Sequence, residues 1–240
     1  MIAIQRIVGR SRAGGEGEGG HWLSVSDLMA GLMMVFLFIA IALMRNAYLE
    51  RDQIREIAGA YRVTQVAIYD ALMEEFASDL DRWDAAIDRD TLAFEFRSPD
   101  VLFAQGRTEI RPEFQRILSD FFPRYIGTLR DYREPINEIR IEGHTSSDWT
   151  GAPNEIDAYF LNMSLSQGRT RSVLQYVYSM PSIEGDREWV KSHFAAVGFS
   201  SSRIIRDQVG EEDAKRSRSV TFRVITNAET QIMRIIDPRS

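Results

Sequence analysis

The 240-residue sequence has no cysteine. That absence removes thiol nucleophiles, disulfide staples and lipidation of an N-terminal cysteine from the functions open to it. Histidine is scarce. His21, His144 and His193 are the three, and they lie too far apart along the chain to suggest a metal site by spacing. No cofactor motif accompanies them. Basic excess is missing too: 29 Lys and Arg stand against 35 Asp and Glu, a formal charge of −6, so no global field draws the chain to nucleic acid. Proline and glycine are few, 7 and 16, in a chain that is 44% hydrophobic. That composition argues against wholesale disorder and supplies enough apolar material for one or two folded cores. The most informative absence is local. From Leu28 to Met44 there is no charged residue.

This gap sits inside "HWLSVSDLMAGLMMVFLFIAIALMR". Trp22 to Met44 is 23 residues, about 34 Å of helix at 1.5 Å per residue, enough to cross a hydrocarbon core about 30 Å thick. Trp22 stands where an interfacial anchor belongs, and Arg45 closes the other end. Ala40-Ile41-Ala42 has the small-x-small look of a cleavage site. A signal peptide's apolar region, however, is only about 7–15 residues long and does not open on an acid. The segment therefore reads as one retained transmembrane helix, 22–45, after a leader, 1–21, whose Gly14–Gly20 stretch is a flexible tether. Arg6, Arg10 and Arg12 precede the span, and Arg45, Arg51, Arg55 and Arg62 follow it. The positive-inside count therefore gives no orientation.

Asp27, at the mouth of the span, has two readings. It is either a hydrated charge favoured by the helix dipole, or a partner-facing carboxylate whose desolvation lets it take up and release protons. Helical spacing places Ser24, Asp27, Ala30, Gly31 and Met34 on one face, where small residues permit close helix packing. Leu28, Leu32, Val35, Phe36 and Ile39 occupy the opposite faces. One span cannot enclose a proton path, so the second reading requires helices from a partner.

Residues 46–90 contain no proline and one glycine, Gly59. Ile54, Ile57, Tyr61, Ile68, Leu72, Phe76, Leu80, Trp83 and Ile87 fall at spacings of three and four. The spacing predicts a helical connector whose apolar stripe pairs with a second copy or packs on the domain that follows; the first is favoured, although Thr64 and Glu75 interrupt a strict heptad. From 91 to 240 the pattern becomes mixed. "TLAFEFR", "INEIRIEGH", "SRIIRDQVG" and "RSVTFRVI" read as strands, while "EFQRILSDFFPRYIGTL", "YFLNMSLSQGRTRSVLQYVYSM" and "DREWVKSHFAAVGF" read as helices. The expected fold class is α+β, a mixed sheet with helices packed on it, preceded by a single transmembrane helix.

Four motifs follow one another in this part. "VLFAQGRTEI" places Leu102-Phe103 and Gly106 ahead of a helix, and "IEGHTSSDW" ends a strand on Gly143-His144-Thr145. "NMSLSQGRTRSV" has the order Asn-x-x-Leu-Ser-x-x-Arg from Asn162 through Leu165 and Ser166 to Arg169, and "KRSRSVTFRV" leads Arg218 into a last strand. In this order, over about residues 91–226, they resemble the OmpA/MotB peptidoglycan-binding domain. With one N-terminal span carrying an acid, the chain looks like a MotB-type stator subunit, and the DLM-x-GLMM-x-F span and Ser-rich loop look most like the B subunits of Zorya anti-phage systems.

The resemblance implies a bacterial inner-membrane protein with a cytoplasmic N-terminus and a periplasmic C-terminal domain. It implies partners as well: a second copy of the chain, peptidoglycan, and a multi-span MotA-like (ZorA-type) protein, five copies to two of this chain. Carried over by position, Arg169 would pair with a stem-peptide carboxylate, Asn162 would give an amide, Leu165 an apolar contact, and Thr145 would belong to the binding loop. The sequence departs from the pattern at Ser146, where the family has an aspartate; Asp148 is then the nearest acid for a ligand amine. The loop before Asn162 is longer than usual, and Thr170 stands at the usual alanine. Asp27 would carry protons. The alternatives are a flagellar stator and a passive wall tether. An enzyme acting on peptidoglycan is disfavoured, because His144, Ser147 and Asp148, adjacent on one loop, do not form a nucleophile–base–orienter arrangement.

Overall fold

The computed structural model describes residues 19–97 and 99–227. The expected leader through Glu18, and with it most of the tether, lies outside the described residues, as do the side chains of Trp22 and Ser24 and the chain after Asn227. Two compact units divide the chain, Met1–Gln53 and Ile54–Ser240, and helix α1 (Gly19–Phe76) contributes to both.

In the first unit, Ser26–Leu49 forms 24 residues of mean hydropathy 2.4 with none of it buried, one helix long and apolar enough to cross a membrane. Leu28, Phe36 and Phe38 are among its exposed large side chains, as suits a surface whose solvent is hydrocarbon. Asp27, Ala30 and Met34 are exposed as well, and a Cβ added at Gly31 would meet nothing within 4 Å. The small-residue face is open to a neighbouring helix.

In the second unit the end of the α1 stripe becomes part of a core, while the side chains of Ile54, Ile57 and Tyr61 lie outside the described residues. Ile68, Leu72 and Phe76 are fully buried, so this part of the helix packs on its own domain and is not available to a second copy. The helical pattern expected to reach Asp90 ends at Phe76. A short α2 (Leu80–Trp83) follows, and Asp84, in the left-handed region at φ 47°, turns the chain into strand β1 (Ala85–Asp88). Ile87 belongs to that strand, opposite Phe94 of β2 (Ala93–Phe96). Its helical spacing from Trp83 is coincidental.

The remaining elements are α3 (Pro99–Leu102), α4 (Pro112–Leu129), β3 (Ile136–His144), α5 (Glu155–Tyr178), α6 (Arg187–His193), β4 (Phe194–Gly198) and β5 (Ser219–Thr226). The sheet order is β1-β2-β5-β3-β4; every neighbouring pair is antiparallel except β3 and β4. Two expectations change here. "FAAVGF" is not the end of a helix but the parallel strand β4, with Ile139 opposite Phe194 and Gly143 opposite Gly198. "SRIIRDQVG" is a loop with an isolated β-bridge, Arg206 with Glu212, and hydrogen bonds from the Asp213 N–H to the Ile205 carbonyl and from the Ile205 N–H to Ser217.

Alternation along the strands decides the core. Phe94 and Phe96 of β2, Ile139 and Ile141 of β3, and Val220 and Phe222 of β5 point to one side and are buried. There they meet Phe114, Phe121, Phe122 and Tyr125 of α4. Phe121 is central, with ring centroids 4.6 Å from Phe94, 4.9 Å from Tyr125 and 5.1 Å from both Phe96 and Phe222. Phe76 brings the end of α1 into this cluster, 5.3 Å from Phe94 and from Phe121. Such offset and edge-on ring pairs add to what area burial alone supplies.

A cation fixes that junction. Arg124 of α4 donates through Nε to Glu75 at 2.6 Å and through a terminal nitrogen to the Glu75 carbonyl at 2.8 Å. Its other terminal nitrogen lies 2.9 Å from Asp79, and its guanidinium sits 4.7 Å over the Phe76 ring. A helix end leaves backbone carbonyls without partners, and Arg124 satisfies one while pairing the acids beside it. Burial works against this charge, but the hydrogen bonds from Glu75 and Asp79 outweigh it and hold the guanidinium above its ordinary value. Arg82 reaches Asp79 too, at 2.6 Å, from a side chain 62% exposed. Arg124→Ala is expected to lower the stability of the full chain by about 2 kcal/mol, because the Glu75 carbonyl loses its donor and the buried Asp79 loses one of two, whereas Arg82→Ala should cost under about 1 kcal/mol. Urea midpoints of the two variants in detergent check the difference.

Candidate binding site

The site is built where β3 ends and α5 begins. Asn154 caps α5, its side chain accepting from the Asp157 N–H at 2.9 Å. The helix then lies close against β3 and β4. A Cβ at Gly143 would come within 2.8 Å of the Ser166 carbonyl oxygen and of the Thr170 methyl; one at Gly198 would come within 2.5 Å of the Gln167 nitrogen. Only glycine permits this approach. Ser166 and Thr170 are fully buried at the contact. The Ser166 hydroxyl accepts from the Ser200 N–H at 3.1 Å, and the Thr170 hydroxyl donates to the Ser166 carbonyl at 3.2 Å. The serine of the Asn-x-x-Leu-Ser-x-x-Arg pattern and Thr170 therefore seat the helix, and the other members face a cavity.

That cavity, of about 440 Å³, is lined by all five expected loop and helix residues, Thr145, Asp148, Asn162, Leu165 and Arg169. Arg169, only 8% exposed, donates through Nε to the Arg107 carbonyl at 2.9 Å and through a terminal nitrogen to the Ala104 carbonyl at 3.3 Å. Its guanidinium lies 4.9 Å over the Phe103 ring. Gly106, at φ 65°, makes the turn that presents those carbonyls. Asn162 does not point its amide into the cavity as a free donor. It donates to the Asp148 carbonyl at 3.3 Å and so shapes the wall of the loop. The buried Thr145 hydroxyl has no partner, while the Thr145 N–H is held by the Ser200 carbonyl at 3.0 Å. Asp148 is exposed at the rim.

Phe103, Trp149 and Arg218 also line the cavity. Arg218, just before β5, is held by a hydrogen bond from Nε to the Ala214 carbonyl at 2.9 Å. Sequence reasoning placed it in a motif without giving it a site role; its position in the last motif of the series was the available signal. Burial first, and then the neighbouring Arg218 charge, push Arg169 down to about 10, which leaves it a full cation at neutral pH. No carboxylate lies within ion-pair distance of either arginine among the described residues. Two cations facing one cavity, neither paired with a carboxylate, can take an outside carboxylate through a forked pair of hydrogen bonds.

Ser147 and His144, which the hydrolase alternative would need together, are engaged with different partners. The Ser147 hydroxyl donates to Glu212, and His144 faces Glu142 and stacks on Phe199 with centroids 5.4 Å apart.

No family model matches the chain. It is 56% identical to the Zorya protein ZorB of Escherichia coli over 233 residues, 97% of this chain and 99% of that one. Among solved structures, a MotB-like protein of Desulfovibrio vulgaris is similar over 72% of this chain and 94% of its own, with 24% identity and a TM-score of 0.48. The cell wall anchor of the T6SS from Pseudomonas aeruginosa covers 65% of this chain and 96% of its own, with 23% identity and a TM-score of 0.46. The periplasmic domain of Helicobacter pylori MotB covers 64% and 97%, with 13% identity and a TM-score of 0.40.

Gly143→Ala is expected to cost about 1–3 kcal/mol, because the added methyl meets backbone that cannot move aside. Gly127→Ala in α4, where a Cβ meets nothing within 4 Å, should instead stabilise by about 0.5–1 kcal/mol. Thermal or urea unfolding of the pair reads the contrast.

Proposed function

The chain belongs to the ZorB family of Zorya proteins, and on that premise we propose that it is the wall-anchoring, proton-carrying subunit of a MotA/MotB-like inner-membrane motor acting in anti-phage defence. In this reading α1 crosses the membrane once between Ser26 and Leu49, with the N-terminus in the cytoplasm and the α+β domain in the periplasm. The cavity holds a peptidoglycan stem peptide. Arg169 and Arg218 take its carboxylate, Asp148 its amine, and Leu165 and Phe103 its aliphatic stem, while Asn162 fixes the loop and Thr145 ties it to Ser200 through its N–H. The observation that carries this reading is the convergence of two arginines, held by backbone carbonyls and paired with no carboxylate among the described residues, on one cavity that Asp148 also lines. The chain then works by binding and anchoring, not as an enzyme.

The membrane part follows from the same physics. Two copies bring two Asp27 carboxylates among the helices of a five-copy ZorA-type partner. Each proton crossing releases about 2.3 kcal/mol per 100 mV. Protonation of Asp27 removes its charge and changes which partner groups it attracts, which permits a rotational step. Wall binding holds the spans still, so that the ring turns.

Arg169→Ala should abolish capture of the full chain by purified peptidoglycan sacculi, at a cost in stability of about 1–3 kcal/mol because the Arg107 and Ala104 carbonyls lose their donor, with a melting profile showing that the variant is still folded. Undiminished capture would remove the anchoring role. Asp27→Asn should eliminate phage protection at normal expression, and Asp27→Glu, which keeps a titrating group, should retain part of it. Full protection by Asp27→Asn would leave only the passive tether.

A further inference from the structure

Two loops supply opposite poles of the cavity. One, 145–153, follows β3 and carries Asp148; the other, 203–218, leads into β5 and ends on Arg218. Under the wall-binding reading these two residues take the two ends of one ligand, its amine and its carboxylate. A two-ended ligand is recognised only where the supporting groups keep both ends at a fixed separation.

The second loop is braced within itself. Asp207 accepts from the Val209 N–H at 2.9 Å and from the Glu211 N–H at 3.0 Å, and Gly210 turns at φ 90°. The Arg206–Glu212 bridge closes the turn, and the Ile205 N–H donates to the buried Ser217 hydroxyl at 2.8 Å. Arg218 follows directly.

Asp148 has no such support from its own side chain. It is exposed, and its carboxylate makes no bond among the described residues. Its position is set by the backbone around it. From the helix side, Asn162 donates to the Asp148 carbonyl at 3.3 Å. From the other loop, Glu212 takes the residue before it: the Ser147 N–H donates to Glu212 Oε1 at 2.9 Å, and the Ser147 hydroxyl donates to Oε2.

Both oxygens of Glu212 are thus given to one residue of the facing loop. Hydrogen bonds to an ionised acceptor are stronger than neutral ones, and two to one residue fix direction as well as distance. No lysine or arginine pairs with Glu212 among the described residues. It does not line the cavity either, so it acts on a ligand only through the loop it holds.

We propose, on the wall-binding reading of this cavity, that Glu212 is a positioning residue. By clasping Ser147 it holds Asp148 at the distance from Arg218 that a ligand bearing both an amine and a carboxylate requires. Recognition of the amine therefore depends on Glu212, and recognition of the carboxylate does not.

Sacculi whose free amines have been acetylated separate these halves, because acetylation removes the ammonium and keeps the carboxylate. The full chain in detergent should bind native sacculi at least about tenfold more tightly than acetylated ones, as expected for one charge-assisted contact. Glu212→Ala should bind native sacculi at least about tenfold more weakly than the parent, and acetylated sacculi within about twofold of it. Glu212→Gln, whose amide still accepts from the Ser147 N–H, should keep most of the preference. Asp148→Asn should match Glu212→Ala, and the double variant should lose nothing further, since both changes remove the same contact. Melting profiles come first. Where Glu212→Ala does not fold, Ser147→Ala, which removes one of the two bonds, carries the decision and should lower the preference at least about threefold. A folded Glu212→Ala that keeps the parent's preference, or that weakens equally on both kinds of sacculi, overturns the proposal. A parent indifferent to acetylation overturns it too. A parent captured no better than Arg169→Ala removes the wall-binding reading as well, whereas Arg169-dependent capture without a Glu212 effect overturns this proposal alone.

Discussion

Helix α5 lies nearer to the sheet than any side chain at residues 143 and 198 would allow. The two glycines, with the buried Ser166 and Thr170 opposite them, set the height of the helix over β3 and β4. The placement of the α5 residues that line the cavity follows from that height. It determines where Arg169 emerges relative to the Phe103–Arg107 turn and how far Asn162 reaches toward the Asp148 carbonyl. It also fixes the Ser200 segment, whose N–H bonds Ser166 and whose carbonyl holds Thr145. Helix-to-strand contact and ligand-facing geometry are thus one constraint.

The cavity gives up stability for readiness. A guanidinium 8% exposed, with a second arginine nearby, would oppose folding less if an acid stood beside it. Backbone carbonyls and an aromatic face satisfy its donors without neutralising its charge. The contrast with Arg124 is instructive. There the charge is matched by Glu75 and Asp79 and closes the end of a helix. One arginine is fully engaged in structure, and the other remains available to an outside anion.

Some of this was legible before any fold was known. The uncharged run from Leu28 to Met44 reads as a span because length and hydropathy are local properties. β3 and β5 read correctly because both show apolar alternation, and α4 because its apolar positions keep helical spacing. The motif order brought Thr145, Asp148, Asn162, Leu165 and Arg169 into one expected site, and they do line one cavity. The roles within it were less legible. Asn162 holds the loop, and Arg218 and Phe103 complete the wall, because such roles depend on which segments meet in space.

The sequence by itself determined the apolar helix, the alternation that buries one face of the sheet, and the residue types that a cationic cavity needs. These are periodicities and compositions, set within a few residues of each position. The tertiary structure alone decided that "FAAVGF" is a strand, since its small apolar residues suit a helix equally and only pairing with β3 selects the extended form. It decided that the connector helix stops at Phe76, where the aromatic cluster and Arg124 capture its end. It also decided that Ser147 and Glu212, 65 positions apart in the chain, meet beside the cavity. The ends of β3 and β5 bring their loops together, and strand order is a property of the whole sheet.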